Sequence, residues 1–405
     1  MAVHPRMHIA VVAPLIGKTA TGLSTYVADL VPRLCDAGHS VTLIATDCGY
    51  RGSDAGELVE IDSRAQFKLF HVPGRWNRRL YRSPEMVKWF RESVTEFDVV
   101  DIQGIWSWIA ADVAAACRAA GVGYVLTPHG MMTRWDWQKQ MLMKRVFFAT
   151  KLRQVWRNAS IVRYLSAGEL QHSMVRPSSD FVVIPNAIEP AASFDCAAGD
   201  AATREWLALS AEDPVILFLG RVTDQKGVLE LLRAFELLQA EFPRMQLVIA
   251  GPLEGAYGAA VRQHAEASGR GSIHVVGPVF GEAKQGLFAA ATLFVTLSKN
   301  EGLSIAALEA LSMGVPVVVT RDSNLPEAEA GAAGLTTMCD PVTAAKDIAS
   351  ILNDPARFSG MRRNARMVAE QHFSWSAVLP RLLRVYEQVA AGRVSRPTAM
   401  ALVEG

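Results

Sequence analysis

Short apolar runs rich in Val and Ile alternate with stretches of helical spacing along most of the chain, and this rhythm restricts the fold more than any other feature. In the first half the runs are His8 to Pro14, Ser40 to Thr46, Phe67 to Val72, Asp98 to Gln103, Tyr124 to Thr127 and Ile161 to Ser166. Helical patterns separate them at Leu23 to Ala37, Pro84 to Glu96 and Trp106 to Ala120. Alternation of this kind builds a parallel sheet joined by right-handed crossovers. After VIPNAIEP at Val183, a Cys/Ala/Gly/Asp stretch up to about Ala202 shows no period and is expected to be an interdomain linker. The rhythm then restarts with ILFLGR at Ile216 and KGVLELLRAFELL, and continues through LVIAGP at Leu247, IHVVGPV at Ile273, LFVTLS at Leu293 and PVVV at Pro316. The expected architecture is α/β: two Rossmann-like doubly wound domains, residues 1–190 and 203–372, facing across a cleft, with a last helix within residues 373–395 crossing back to brace the first domain.

A chain of 405 residues is too long for one ordinary core, which agrees with two domains. A net charge of +1 argues against nucleic acid as the main partner. The five cysteines are odd in number, widely spaced and never in a C-x-x-C pair, so a reducing cytoplasm and no structural metal are expected. No apolar run approaches the roughly 20 residues needed to span a bilayer, and MHIAVVAPL reads as a first strand rather than a signal peptide.

Three places carry candidate chemistry. In SKNEGLSIAALEALSMGVPVVVT, from Ser298, a helix is expected to open at Gly302 to Ser304 and to stop at Gly314. Glu301 and Glu309 on one helix would stand about 80° apart and roughly 12 Å along its axis, too far for an acid/base pair. Glu301 in the loop and Glu309 inside the helix would instead flank the free amides of the first turn, an anion site. Gly220-Arg221 ends one strand and Lys226-Gly227 opens the next helix, so a forked Arg and a point-charge Lys could clamp two phosphates. An Arg221–Asp224 surface pair with a solvated Lys226 fits the same residues. His129, at a strand end in TPHG, is either structural or poised at a ligand, with Gly130 permitting a sharp exit.

GKTATG at Gly17 lacks the earlier glycine of a phosphate loop, since Val12 stands there, although Thr21-Gly22-Leu23-Ser24 still suits a helix start where Ser24 caps the helix or meets a ligand. No G-x-G-x-x-G follows any strand, so no dinucleotide cofactor is expected. Residues 131–163 hold eight Lys or Arg against one acid, Asp136. Trp137, Met141, Phe148, Leu152 and Val155 recur there at helical spacing, so a basic aromatic helix over 136–157 would either lie on an anionic membrane or pack into a core. GRWNRRLYRSP at Gly74 adds four arginines, as an acceptor-phosphate loop or a mobile one.

Taken in order, TPHGMMTRW at Thr127, VIPNAI at Val183, GRVTDQKG at Gly220, the Glu301/Glu309 pair with LEALSMGVPVVVT, and the tail FSWSAVLPRLLRVYEQV at Phe373 resemble the retaining glycosyltransferases of family 4, the group 1 glycosyl transferases. The resemblance covers nearly the whole chain and implies the two-domain GT-B fold, an N-terminal acceptor domain and a nucleotide-diphosphate sugar held by the C-terminal domain. It implies that Arg221 and Lys226, with Gly220, hold the diphosphate, that Glu309 binds the ribose, and that Glu301 with Gly302 and the amides of Leu303 and Ser304 grips the sugar. Gly22 would approach the phosphates, His129 would touch the sugar near the reacting carbon, and Val276 and Pro278 would lie near the base. Positive charge on the leaving diphosphate is the main catalytic need; the clamp supplies it, the chain has no D-x-D triplet, and no metal or other cofactor is expected. A cytoplasmic transferase building a polysaccharide or glycolipid from a carbohydrate or lipid-linked acceptor follows from the resemblance, while peripheral contact with an anionic membrane through 131–163 is the expectation from the basic aromatic patch if its helix faces outward. A nucleotide-sugar epimerase of the same architecture and a non-catalytic partner subunit are the alternatives. Thr21-Gly22 in place of Gly-Gly, Ala187 in place of Gly, and Leu303-Ser304 in place of Phe-Gly are departures from the family pattern.

Overall fold

A computed structural model describes residues 5–17, 22–49, 61–138, 140–177, 179–189, 194–268 and 271–392, the side chains of residues 79 and 80 excepted. The chain divides into two compact units, Met1–Ala187 with Val378–Gly405, and Ile188–Ala377.

The first unit holds seven parallel strands: β1 (His8–Leu15), β2 (Ser40–Thr46), β3 (Gln66–Phe70), β4 (Val99–Gln103), β5 (Tyr124–Thr127), β6 (Ile161–Tyr164) and β7 (Asp180–Val183). Their order is β3-β2-β1-β4-β5-β6-β7. The second unit holds β8 (Val215–Leu219), β9 (Gln246–Ala250), β10 (Ile273–Gly277), β11 (Leu293–Thr296), β12 (Val317–Thr320) and β13 (Gly334–Thr337), ordered β10-β9-β8-β11-β12-β13. Both are doubly wound Rossmann-like sheets. The central strands are buried on both faces because helices cover both, which is why they read as continuous Val/Ile/Leu runs. In such sheets ligands bind beyond the carboxyl ends of the strands, where the order reverses. That point is β1/β4 in the first unit and β8/β11 in the second.

The last helix, Trp375–Ala390, contributes most of its length to the first unit. Arg381 donates to the Val183 carbonyl at 2.9 Å, and the Tyr386 hydroxyl reaches Asp101 in β4.

Two expectations are corrected. The stretch read as linker contains a helix, Cys196–Trp206, whose first turn is capped by Asp195 at 3.0 and 3.1 Å. It lacks an apolar period because it packs through small residues: a Cβ at Gly286 would come 2.6 Å from Thr203 Oγ1 and 3.1 Å from the Gly199 carbonyl. The basic aromatic segment is several helices rather than one. Arg134–Gln138 and Met141–Phe147 are separated at Gln140 (φ 55°), and a π-turn, Phe148–Leu152, leads into Arg153–Asn158. The breaks change the helical phase. Trp137, Phe148, Leu152 and Val155 therefore pack on the core, whereas Met141, Leu142, Met143 and Val146 are exposed.

Candidate functional site

In the second unit the two loops at the β8/β11 switch point are tied together. After β8 come Gly220, Arg221 and a single 3-10 turn, Asp224–Lys226, closed by Gly227 at φ 64°. After β11 come Ser298 to Ser304 and then the helix Ile305–Ser312, which begins one residue beyond the expected opening, with Ser304 as N-cap. Lys299 N–H donates to the Gln225 carbonyl at 2.8 Å, and Gln225 Nε2 donates to the Asn300 carbonyl at 2.7 Å. Gly227 is required here, because a Cβ would stand 2.1 Å from the Leu297 carbonyl oxygen.

Glu301, only 8% exposed, is the fixed point of this site. Its Oε1 accepts from Ser298 Oγ at 2.6 Å and lies 2.7 Å from Lys226 Nζ. Its backbone is held from the other side by Asp322 and by Asn324, whose left-handed conformation (φ 56°) aims Nδ2 at the Glu301 carbonyl at 2.6 Å. A carboxylate with these partners is oriented rather than free to shuttle protons. Glu309 lies on the helix, as expected, and pairs with Lys284 at 2.8 Å. Arg221 pairs with Glu254 at 3.1 Å and not with Asp224, which is taken by Lys299 at 2.6 Å. Gly220 (φ 155°) donates its N–H to the Ala250 carbonyl at 2.9 Å. Val276 is the penultimate residue of the edge strand β10, and Pro278 is exposed just beyond it. Glu254, Lys284, Ser298 and Asn324 were not singled out from the sequence. Of these only Asn324, in a D-S-N-L-P turn, carries a local signal for its conformation.

The other candidates belong to the first unit. Gly22 opens the helix Gly22–Asp36 and is exposed. Ser24 lies inside that helix with its Oγ turned to the Leu15 carbonyl at 3.3 Å, which corrects its reading as the helix cap. Residues 18–21 of the GKTATG stretch lie outside the described residues. His129 itself takes φ 53°, followed by Gly130 at φ 76°, so the sharp exit from β5 begins at the histidine. A non-glycine residue in this region stores strain of about 1–3 kcal/mol and is held only by its surroundings. Glu169 does the holding: its two carboxylate oxygens accept from Gly130 N–H and from Leu165 N–H, the latter at 2.6 Å. Burial pushes the Glu169 carboxyl up to about 7, against the opposing pull of these amides and of Arg163. Burial first, and then the nearby Arg163 charge, lower His129 to about 3, so its imidazole is neutral at physiological pH.

Glu169 sets a pH dependence. Because its folded value lies above its ordinary one of 4.5, the folded state binds more protons between pH 4.5 and 7, and stability falls as pH rises through that window. The lowered His129 works in the opposite sense below about pH 6.5 in both proteins, so the Glu169 loss, on the order of 3 kcal/mol for a shift of this size, is expected as the difference between urea melts of the native chain and of Glu169→Gln from pH 4.5 to 8. Parallel pH profiles in the two proteins would exclude Glu169 as its source.

Among the described residues, no cluster of three or more His, Cys, Asp or Glu is placed to hold a metal ion, and no helix is long and apolar enough to cross a membrane.

Both units match known families in sequence. Residues 201–368 match the profile of the glycosyl transferases group 1, and residues 21–187 match that of the glycosyl transferase 4-like domain. The chain belongs to the group 1 glycosyl transferases. This glycosyltransferase is 26% identical over 306 residues to the GDP-mannose-dependent monoacylated alpha-(1-6)-phosphatidylinositol monomannoside mannosyltransferase of Corynebacterium glutamicum, covering 71% of this chain and 77% of that protein. It is 28% identical to the alpha-maltose-1-phosphate synthase of Mycolicibacterium smegmatis, covering 67% of this chain and 74% of that one. It is 33% identical over 193 residues to D-inositol 3-phosphate glycosyltransferase 1 of Catenulispora acidiphila, a match covering 45% of this chain and 46% of the relative. In fold it resembles the sucrose-phosphate synthase of Thermosynechococcus elongatus (TM-score 0.77, 21% identity, 96% of this chain and 100% of that one). It also resembles HepE of Anabaena, solved with UDP and glucose (TM-score 0.75, 18% identity, 95% and 100%).

Proposed function

We propose that this glycosyltransferase moves a sugar, with retention of anomeric configuration and without a metal, from a nucleotide-diphosphate donor held by its second unit to a hydroxyl acceptor in polysaccharide or glycolipid synthesis. The observation that carries the reading is the pairing of Lys226 with Glu301 directly ahead of the N-terminus of the helix that bears Glu309. Positive charge and first-turn amides at that point suit a diphosphate leaving group. In this reading Arg221 and Lys226 hold the diphosphate, with Gly220 permitting close approach. Glu301, Gly302, Leu303 and Ser304 grip the sugar, Glu309 takes the ribose, and Val276 and Pro278 flank the base. Gly22 and His129 act from the first unit. Glu301 and Glu309 are binding groups, not a glycosidase acid/base couple.

The test is a panel of UDP-, GDP-, ADP- and dTDP-sugars with EDTA present, read by thermal shift and nucleotide release. One nucleotide class is expected to stabilise the protein, and Glu309→Ala is expected to remove that shift. Stabilisation unchanged in Glu309→Ala would overturn the donor assignment. Isomerised donor without acceptor would favour the epimerase reading, and no response to any donor would favour a non-catalytic partner subunit.

A second reading concerns the acceptor. Leu142 (78% exposed) and Val146 (57% exposed), with Met141 and Met143, form an apolar patch beside Arg145. This patch suits shallow insertion into an anionic membrane presenting a lipid-linked acceptor at the cytoplasmic face. The lipid acceptor in the name of the Corynebacterium relative supports it. Lys144 is excluded from the contact, because it is turned inward onto Asp136 at 2.6 Å and over the Trp106 ring at 4.9 Å. Sedimentation with phosphatidylglycerol-containing liposomes is expected to weaken at least tenfold in Leu142→Glu/Val146→Glu; binding equal to the parent would remove the patch from consideration.

A further inference from the structure

Next to His129 runs a chain of buried hydrogen bonds that the donor reading leaves unused. Asp101 and Gln103 are alternate residues of β4, so their side chains share one face of the sheet, and both are enclosed (0% and 1% exposed). The Tyr386 hydroxyl, from the C-terminal helix, and Gln103 Nε2, at 2.6 Å, both donate to Asp101 Oδ2. That arrangement orients the Gln103 amide. Its carbonyl oxygen is then the atom 2.6 Å from His129 Nε2, and an amide oxygen can only accept.

His129 therefore carries its proton on Nε2 and a lone pair on Nδ1. The surrounding charged and titratable groups come from four further places. Tyr26 stands edge-on at 6.0 Å between ring centroids. Arg163 on β6 is fully buried and donates to the Tyr26 hydroxyl and to the Ile184 and Pro185 carbonyls. Glu169 holds the adjacent Gly130 N–H, and Tyr386 stands behind Asp101. Among the described residues no partner occupies His129 Nδ1.

We propose that Gln103, backed by Asp101 and Tyr386, is a positioning residue that locks His129 in its Nε2–H tautomer, so that Nδ1 accepts a hydrogen bond from a hydroxyl of the transferred sugar. The inference rests on the reading that His129 touches that sugar. It separates two roles that a histidine beside a diphosphate could play. A lone pair at Nδ1 repels phosphate oxygen and attracts a hydroxyl proton, so His129 recognises the sugar and neither binds phosphate nor donates a proton. It also makes the C-terminal helix part of the site, since Tyr386 supplies the donor that orients Asp101.

Two measurements test this on the full chain. Nitrogen-15 spectra of histidine-labelled protein should show one imidazole in the Nε2–H form that does not titrate between pH 5 and 8. An Nδ1–H signature for His129, assigned by its loss in His129→Asn, would overturn the proposal whatever the activity. In kinetics, Gln103→Met should lower kcat/KM for the donor about tenfold to a hundredfold, as the loss of an orienting partner does elsewhere. Gln103→Glu keeps an acceptor for Nε2–H, but its other oxygen faces Asp101 Oδ2 where the amide donated, so the two carboxyls must share one proton and their charge moves toward the ring, which makes it more basic. It should recover part of the rate and add an acid limb, with activity falling below about pH 6.5. Tyr386→Phe, which disturbs the core least, should show a smaller loss in the same direction. Parent-like kcat/KM and pH profile in all three variants would overturn the positioning role. Donor-induced thermal stabilisation measured alongside keeps the two readings apart, since its absence in the parent protein counts against the donor site, while the tautomer is still decided by the spectra.

Discussion

Lys226→Ala is expected, on the proposed donor reading, to lower turnover by about 10²- to 10³-fold, the effect of removing one preorganised charge from a developing oxyanion, and to destabilise the protein at neutral pH. The second effect follows from what is left behind. Glu301 is 8% exposed and Lys226 19%, and their 2.7 Å contact sits in a site closed by Ser298, Asp322 and Asn324. Removing one partner of such a pair leaves a carboxylate without its countercharge, at a penalty of about 3 kcal/mol. Arg221 separates the two effects. Its pair with Glu254 is well exposed on both sides, so Arg221→Ala should change stability by less than about 1 kcal/mol while still lowering turnover. Adding Glu301→Gln to Lys226→Ala should restore much of the lost stability and none of the activity. Denaturant melts with initial rates on the four proteins decide it: full stability in Lys226→Ala would mean that the Lys226–Glu301 contact carries no weight in the fold.

The centre of both sheets was legible in the sequence because β1, β4, β8 and β11 are buried on both faces and so are written in Val, Ile and Leu. The edges were not. β7 has one buried residue of four, and β13 reads GLTT, where Gly334 is kept because a Cβ would meet the Val317 carbonyl at 2.6 Å. Helix Cys196–Trp206 was hidden for a related reason, since glycine and alanine packing leaves no apolar period. Local strand-to-helix turns singled out Arg221, Lys226, Glu301 and His129 as candidates. Their partners lie far along the chain: Glu254 is 33 residues from Arg221, and Gln103 is 26 from His129. No local pattern encodes such contacts. In the basic aromatic segment the period was visible, but the left-handed Gln140 and the π-turn reset its phase, which no count of helical spacing registers.

Those buried strand ends also locate the substitution with the largest expected effect on folding, Gly251→Ala. Beyond their carboxyl ends β8, β9 and β10 remain zipped: Gly220 N–H reaches the Ala250 carbonyl at 2.9 Å, Val222 N–H the Pro252 carbonyl at 2.9 Å, and Gly251 N–H the Gly277 carbonyl at 2.7 Å. Gly251 sits at φ 137°, and a Cβ there would stand 1.9 Å from the Gly220 carbonyl oxygen and 2.7 Å from its carbon. Nothing flexible is available to yield, because the obstacle is backbone, and the peptide that must move is the one leading into Arg221. Strain at the residue and overpacking against its neighbour add to about 3 to 5 kcal/mol, a fall in melting temperature of roughly 10 °C or more for a unit of this size. Gly277→Ala is the control. It shares a left-handed backbone at φ 76° but has no atom within 4 Å of the new methyl, so it should lose only the backbone term, about 1 kcal/mol. Calorimetric scans of both variants separate close approach from backbone conformation, and equal losses would mean that the meeting of β8 and β9 can relax at little cost.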